Sequence, residues 1–319
     1  MRISTSWKGR ISDEIEIEKK ACAWGRLWYN AIMRHFSGKR WLCGGRSIVF
    51  DRPWVMGIVN VTPDSFYSGS RTPGVAEAVA RGEALWRAGA ACLDVGGEST
   101  RPGAEAVSVA DEIARVVPVL KGLRAACPGV LLSVDTRHTA VARAAIAAGA
   151  EVVNDVAGCA PDVGMRELVA ETGVGYVLMH ARGTPQTMDR LVEYREVVGD
   201  VERELMGAVA GLMAAGVREG QLMLDPGLGF AKRHADSLRL LGATAHFAGL
   251  RYPYLVAASR KRFLGEVTGR SQAEERGAAS VGAALWAIAQ GADMVRVHDV
   301  AETVDALRVF VAAGEVADV

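Results

Sequence analysis

From residue 55 onward, short apolar runs alternate with Ala-rich stretches of helical period. The runs are WVMGIVN, ACLDVGG, VLLSVD, EVVNDV, GYVLMH, LMLDPG, YLVAAS and DMVRVH. Between them lie segments such as VAEAVARGEALWRAG, VADEIARVVPVLKGLRAA, TAVARAAIAAG, MRELVAET, REVVGDVERELMGAVAGLMAAG and AASVGAALWAIAQG. Several end at glycine, as helix C-termini prefer. A last helical stretch, AETVDALRVFVAAG, follows the final run. Continuous apolar strands fit a parallel sheet covered by helices. Repeated β-then-α units of this kind predict a closed TIM (β/α)8 barrel. An open doubly wound sheet is the alternative. It ordinarily announces itself with G-x-G-x-x-G after the first strand, and no such motif stands there.

Residues 1 to about 40 break the pattern. They are charged, bring Trp7, Trp24 and Trp28 close together, and follow neither period. The chain therefore divides into a poorly ordered N-terminal extension over 1–45 and a barrel domain over 46–319. The extension is either an appendage, partly helical at most, or the product of a start placed too far upstream. RSIVFDRPWV, residues 46–55, predicts a hairpin or strand that closes one end of the barrel.

With 319 residues, half of them hydrophobic, the chain can bury a large core. Its 37 basic and 37 acidic residues cancel. That balance argues against nucleic acid or an anionic membrane as a partner, though not against a small anion held locally. The five cysteines are scattered and form no C-x-x-C. They argue against a disulfide framework or a zinc site and fit a reducing cytoplasm. No apolar run reaches membrane-spanning length, and SDEIEIE is too acidic for a transit peptide.

In such a barrel the active site lies at the C-terminal ends of the strands. Those ends carry Asn60 with Thr62 and Asp64; Glu98 to Arg101; Asp135; Asn154 and Asp155; Met179 and His180; Asp225; Ser259, Arg260 and Lys261; and Arg296 with His298. Asp135, Asn154, Asp225 and Lys261 combine donors and acceptors that can read a flat heterocycle with an amino-pyrimidinone edge. The plainer alternative is a structural network between strand ends. Buried carboxylates there are costly without a ligand or a nearby Lys261. Arg101, Arg296 and His298, with the Asn60 amide and Thr100 hydroxyl, form a set that could hold a diphosphate. For a lone arginine the alternative is a solvated rim position, but Arg296 and His298 are two apart and share one side of a strand.

DPGLGFAK, residues 225–232, is a sharp turn in which Gly227 and Gly229 permit close backbone approach. GGESTRPG, residues 96–103, reads as a shaped loop. Phe66 and Pro102 are apolar residues on loops, placed either to close over an aromatic substrate or as incidental surface. Met179 lines the pocket, and His180 takes a supporting part.

Taken in order, GIVNVTPDSF, DVGGESTRPG, SVDT, VNDV, LMH, DPGLGFAK, SRKRFLG and RVHDV resemble the dihydropteroate synthases, pterin-binding enzymes of folate synthesis. The resemblance runs from about residue 55 to 310. It implies a TIM barrel, usually dimeric, that transfers a pterinylmethyl group. The implied reaction condenses 6-hydroxymethyl-7,8-dihydropterin diphosphate with p-aminobenzoate, releasing 7,8-dihydropteroate and diphosphate with the help of Mg²⁺.

The resemblance also implies roles. Asp135, Asn154, Asp225 and Lys261 hold the pterin, with Met179 and Phe230 lining it. Thr100, Arg101, Arg296 and His298 engage the diphosphate, and Asn60 serves both it and the metal. Phe66, Pro102, Ser259, Arg260 and Lys261 shape the p-aminobenzoate site. Asn60, Asp135, Asp225, Lys261, Arg296 and His298 make up the implied catalytic set. One departure stands out. The family's first loop often continues after Phe as Ser-Asp-Gly-Gly, whereas here Tyr67, Ser68, Gly69 and Ser70 follow. Ser68 thus replaces an aspartate that could stabilise a pterin cation. Two competing readings remain: a methyltetrahydrofolate–corrinoid methyltransferase, which has no use for the STRPG, SRK and RVH cations, and a catalytically silent binding paralogue, which the intact strand tips oppose.

Overall fold

The structure is a computed structural model that describes residues 38–61, 71–99, 106–157, 159 and 163–316. An antiparallel hairpin comes first, β1 (Arg40–Cys43) and β2 (Arg46–Val49). Eight parallel strands follow: β3 (Trp54–Asn60), β4 (Cys92–Gly96), β5 (Leu131–Asp135), β6 (Val152–Asp155), β7 (Gly175–Met179), β8 (Leu222–Asp225), β9 (Leu255–Val256) and β10 (Met294–Val297). They pair in the order β8-β7-β6-β5-β4-β3-β10-β9. A parallel bridge between Leu224 and Tyr254 joins the two ends and closes the sheet. The helices are α1 (Arg71–Arg87), α2 (Val109–Ala126), α3 (Thr139–Ala147), α4 (Val163–Thr172), α5 (Val197–Ala214), α6 (His234–Gly242), α7 (Thr244–Ala248), α8 (Arg262–Thr268), α9 (Gly277–Ala289) and α10 (Val300–Val316). This is the expected (β/α)8 barrel. No described helix is long and apolar enough to cross a membrane.

Local chemistry sets the helix ends. Ser108 caps α2 by accepting the Asp111 amide at 3.1 Å, with Asp111 and Glu112 in the first turn. Glu196 caps α5 by accepting the amides of Val198 and Gly199. Gly269, at φ 68°, ends α8 in the left-handed conformation.

Strand parity does the rest. Leu93, Val95, Leu132, Val134, Val153, Leu178 and Leu224 face outward and share one core with Val116, Leu120, Leu123 and Leu205 of the helices. The opposite parity faces the barrel axis. Near the strand starts it is apolar: Met56, Cys92, Leu131, Val152, Val177, Met223, Leu255 and Met294 pack with Trp41, Cys43, Ile48 and Phe50. Two residues further along the same faces come Asp94, Ser133, Asn154, Met179, Asp225 and Arg296. The barrel interior is therefore greasy at the bottom and polar at the top.

The hairpin is the floor of this barrel. Trp41 and Cys43 are fully buried, and Trp41 Nε1 donates to the Gln221 carbonyl at 2.8 Å. A Cβ on Gly175 would lie 2.6 Å from Cys43 Sγ and 3.1 Å from the Trp41 ring, so β7 must start on glycine for the hairpin to seat. This corrects the expected boundary at residue 45. Arg40–Cys43 is a paired strand of the barrel unit, turned back by Gly44 and Gly45 at φ 56° and 92°. The expectation that residues 46–55 help close one end of the barrel holds, with Ile48 and Phe50 in the floor.

Candidate active site

Among the described residues the strand tips converge. Arg296, inward on β10, reaches across the barrel, its Nε donating to Asp94 Oδ2 at 2.6 Å and its Nη2 to Asp135 Oδ2 at 2.5 Å. Asn154 Nδ2 donates to the same Asp94 oxygen at 2.9 Å. Asp94 is fully buried in the middle of β4. Burial works against the Arg296 charge, but Asp94 and Asp135 outweigh it and hold the guanidinium above its ordinary pKa. For Asp135 burial prevails and lifts the pKa to about 7, with Arg296 pulling the other way. The remaining oxygens, Asp94 Oδ1 and Asp135 Oδ1, are buried and accept no hydrogen bond among the described residues. Unmet acceptors of this kind are costly unless a donor arrives.

Asp225 ends β8 facing the same space, buried, with Oδ1 accepting the Gly227 amide at 2.7 Å. Burial raises its pKa and Lys261 opposes the rise. Lys261 follows β9; its Nζ donates to the Leu228 carbonyl and stands 4.8 Å from the centre of the Phe230 ring. Burial lowers the lysine to about 8, against the pull of Asp225. Met179, buried at the end of β7, pairs in register with Asp225. The mouth thus sets Asp94, Asp135 and Asp225 against Arg296 and Lys261, an excess of carboxylate. A ligand edge rich in N–H groups suits it.

The expected division between a heterocycle wall and a phosphate wall is only partly visible. Arg296, expected on the phosphate side, is bound into the carboxylate set because its fork meets two acids directly. His298 is tied to Ser259. Its backbone N–H donates to Ser259 Oγ at 3.1 Å, and its Nδ1 lies 3.0 Å from the same oxygen. The Ser259 hydroxyl thus holds both the backbone and the ring of His298, with the donor in the ring contact set by the imidazole tautomer. Burial, with Arg296 and Arg260 nearby, lowers His298 to about 3. The imidazole is therefore neutral near pH 7, so of the two charges that this strand end could carry only Arg296 supplies one. Arg260 sits at φ 58° and forks onto Asp299, with Nε to Oδ2 at 3.1 Å and Nη2 to Oδ1 at 2.5 Å. It holds the turn that presents Ser259 and Lys261. Asn60, half-buried at the tip of β3, makes no side-chain hydrogen bond among the described residues. Phe66, Thr100, Arg101, Pro102 and Ser68 lie outside the described residues.

Sequence reasoning missed Asp94, which stands mid-run in ACLDVGG rather than at a tip. Its signal was parity: it shares the inward face with Cys92 and Gly96. Also missed was the buried bracket behind Asp225. Lys232 Nζ lies 2.9 Å from His180 Nδ1 and donates to the carbonyls of His180 and Phe230 at 3.2 and 2.9 Å. His180 Nε2 is 3.1 Å from Glu204, which Arg182 also grips. Burial pushes Lys232 down to about 7; burial and then Lys232 push His180 down to about 4. The bracket ties the loop after β7 to the loop after β8, the supporting part expected of His180. Asp155, beside Asn154, faces outward and accepts from the Tyr176 hydroxyl at 2.5 Å.

The family model for pterin binding enzymes matches residues 56–298, which span the whole mouth. The dihydropteroate synthase of Neisseria meningitidis serogroup C is 42% identical over 277 residues, covering 86% of this chain and 97% of that protein. That of Escherichia coli K12 is 41% identical over 265 residues, covering 83% and 93%. Among solved structures, Xanthomonas albilineans dihydropteroate synthase with 4-aminobenzoic acid matches at a TM-score of 0.81 and 46% identity, covering 87% of this chain and 98% of the other. The enzyme from the same organism in complex with 7,8-dihydropteroate matches at a TM-score of 0.77 and 44% identity, covering 86% and 98%.

Proposed function

We infer that this chain, which belongs to the pterin binding enzyme family, works as a dihydropteroate synthase. It is a transferase of folate biosynthesis that joins 6-hydroxymethyl-7,8-dihydropterin diphosphate to p-aminobenzoate, giving 7,8-dihydropteroate and diphosphate. The observation that carries the residue-level reading is the pair of unmet buried acceptors, Asp94 Oδ1 and Asp135 Oδ1, at the mouth that buried Asp225 also faces. An amino-pyrimidinone edge offers the N–H groups that such acceptors lack.

On this reading Asp225, Asp135 and Asn154 orient the pterin, Lys261 and Arg296 supply donors, and Met179 and Phe230 line the ring. The carbon–oxygen bond between the methylene and the diphosphate breaks, and the ring delocalises the positive charge that develops. The arylamine nitrogen then bonds to that carbon and loses a proton. No covalent protein nucleophile is needed. Arg296, with His298 beside it, faces the departing charge with a guanidinium already held in place. An anion bound beside His298 would raise its pKa from the present low value and strengthen that contact.

The residues also fit Mg²⁺. Asn60 offers a hard amide oxygen not engaged by any described residue, and Mg²⁺ characteristically takes few protein ligands and completes its shell with waters and substrate phosphates. We place the ion there, where it would neutralise charge on the diphosphate. A homodimer is part of the same proposal. Leu238, Val267 and Trp286, exposed at 47, 63 and 46%, lie on the adjoining helices α6, α8 and α9. Unpaired buried Cys43, Cys92 and Cys127 support a cytoplasmic setting.

The deciding experiment is calorimetry of pterin binding to Asp225→Ala. Removing one partner of a buried charged contact should weaken binding about 100-fold or more. Unchanged affinity would overturn the assignment. Dihydropteroate formation measured with and without Mg²⁺ tests the metal.

A further inference from the structure

Beside the mouth, Glu98 leaves β4, Glu112 sits in the first turn of α2, and His138 precedes α3. Their ligand atoms lie within 4.8 Å of one another. His138 Nε2 is 3.9 Å from Glu98 Oε2 and 4.0 Å from Glu112 Oε2. Acidic groups often gather at a surface without an ion, but this set is not at the surface. Glu112 is 0% exposed, and neither of its oxygens makes a hydrogen bond of good geometry among the described residues, although the Thr136 hydroxyl is close enough to favour its charged form. The Nε2 of His138 is buried and equally unpartnered. A carboxylate and an imidazole nitrogen, both shut off from solvent and both turned toward Glu98, want a shared partner.

We propose that Glu98, Glu112 and His138 form a binding site for one divalent first-row transition-metal ion of the Zn²⁺ class. One imidazole and two carboxylates make a borderline donor set that suits Zn²⁺ better than Mg²⁺ or Ca²⁺, which prefer oxygen alone. The scattered cysteines argued against a zinc site, but that argument concerned cysteine ligands, and this set contains none. Tetrahedral Zn²⁺ with bonds of about 2.0–2.2 Å sets its ligand atoms roughly 3.4 Å apart. The His138 separations need to close by about half an ångström, and any pair at the 4.8 Å limit by about 1.4 Å, through side-chain rotation. Arg137 already fixes Glu98, with Nε to Oε2 at 3.1 Å and Nη2 to Oε1 at 3.0 Å. Ligating carboxylates are commonly oriented by such outer hydrogen bonds. Burial also lifts Glu112 to about 7, with the Thr136 hydroxyl offsetting part of the rise. An ion of charge two would displace that proton and balance the two carboxylates. It would clip the turn after β4 to α2 and to the exit of β5. This site is separate from the one placed at Asn60.

The test is a titration of the metal-free full chain with Co²⁺ as a spectroscopic probe and with Zn²⁺ by calorimetry. The wild type should bind one equivalent per chain with a visible Co²⁺ ligand-field band. Glu112→Gln and His138→Gln should each weaken binding at least about 100-fold, with dihydropteroate formation in Mg²⁺ unchanged. Asn60→Ala should keep the band. The half-buried His138 carries the test if Glu112→Gln fails to fold. No Co²⁺ band in the wild type would overturn the site. So would wild-type affinity in the variants, since the ion would then sit elsewhere, for instance at the exposed His246–Glu202 or His234–Glu266 pairs.

Discussion

Asp94 shows what one buried carboxylate can hold in place. It accepts from both Arg296 and Asn154, so its loss strands a guanidinium and an amide together. Asp94→Ala should cost about 3–5 kcal/mol by urea denaturation, as breaking buried ion pairs does. A loss below about 1 kcal/mol would mean that Asp135 alone satisfies Arg296. Glu112 makes an opposite case. Its pKa of about 7 lies above the ordinary 4.5, so folding favours the protonated form. Its contribution to stability therefore falls as pH rises from about 4.5 to about 7, and stays low above that. Glutamine is neutral throughout. Metal-free Glu112→Gln should match the wild type near pH 4.5 and exceed it at pH 8, by up to about 3 kcal/mol, in paired denaturation curves. The residues legible in the chain were those where a polar group ends an apolar run: Asp135, Asn154 and Asp225. Asp94 interrupts its run and was hidden until strand parity was known. The charge of His298 was not legible at all, because burial decides it and burial belongs to the fold.

At the level of elements, the turn after β8 is the most constrained. Gly227 has φ 64°, and a Cβ there would stand 1.8 Å from the His180 carbonyl oxygen. The obstacle is backbone and cannot rotate away, and Lys232 holds that carbonyl from the other side. Gly227→Ala should therefore destabilise by more than about 4 kcal/mol. Gly229→Ala, also at positive φ but meeting only Lys261 Cδ at 3.5 Å, should cost about 1–2 kcal/mol. Equal effects in thermal or urea unfolding would mean that the loops after β7 and β8 separate freely. The alternation of strands and helices was legible because each run is apolar on both faces. Lengths were less so. YLVAAS reads as a full strand, yet β9 is only Leu255–Val256. Pro253 precedes it, and the chain turns at Arg260 into a left-handed conformation that no propensity announces.

For the whole molecule, the floor decides where the domain begins. A chain starting at residue 38 keeps the whole hairpin. One starting at residue 46 loses Trp41 and Cys43 from the barrel floor. It should be less stable by at least about 3–5 kcal/mol, the usual penalty for deleting a buried tryptophan alone. Equal melting temperatures for the two would show that the hairpin is dispensable. The barrel was readable from periodicity because its repeats are local. The floor was readable only in part, since its packing joins residues 41 and 43 to strands as distant as β10.

That floor makes the barrel a blind well rather than a tube. Water displaced as a flat ring settles cannot drain away beneath it and must leave past the incoming molecule. Entry, dehydration and exit then share the aperture above the described strand tips, and one plug seated there would halt traffic in both directions.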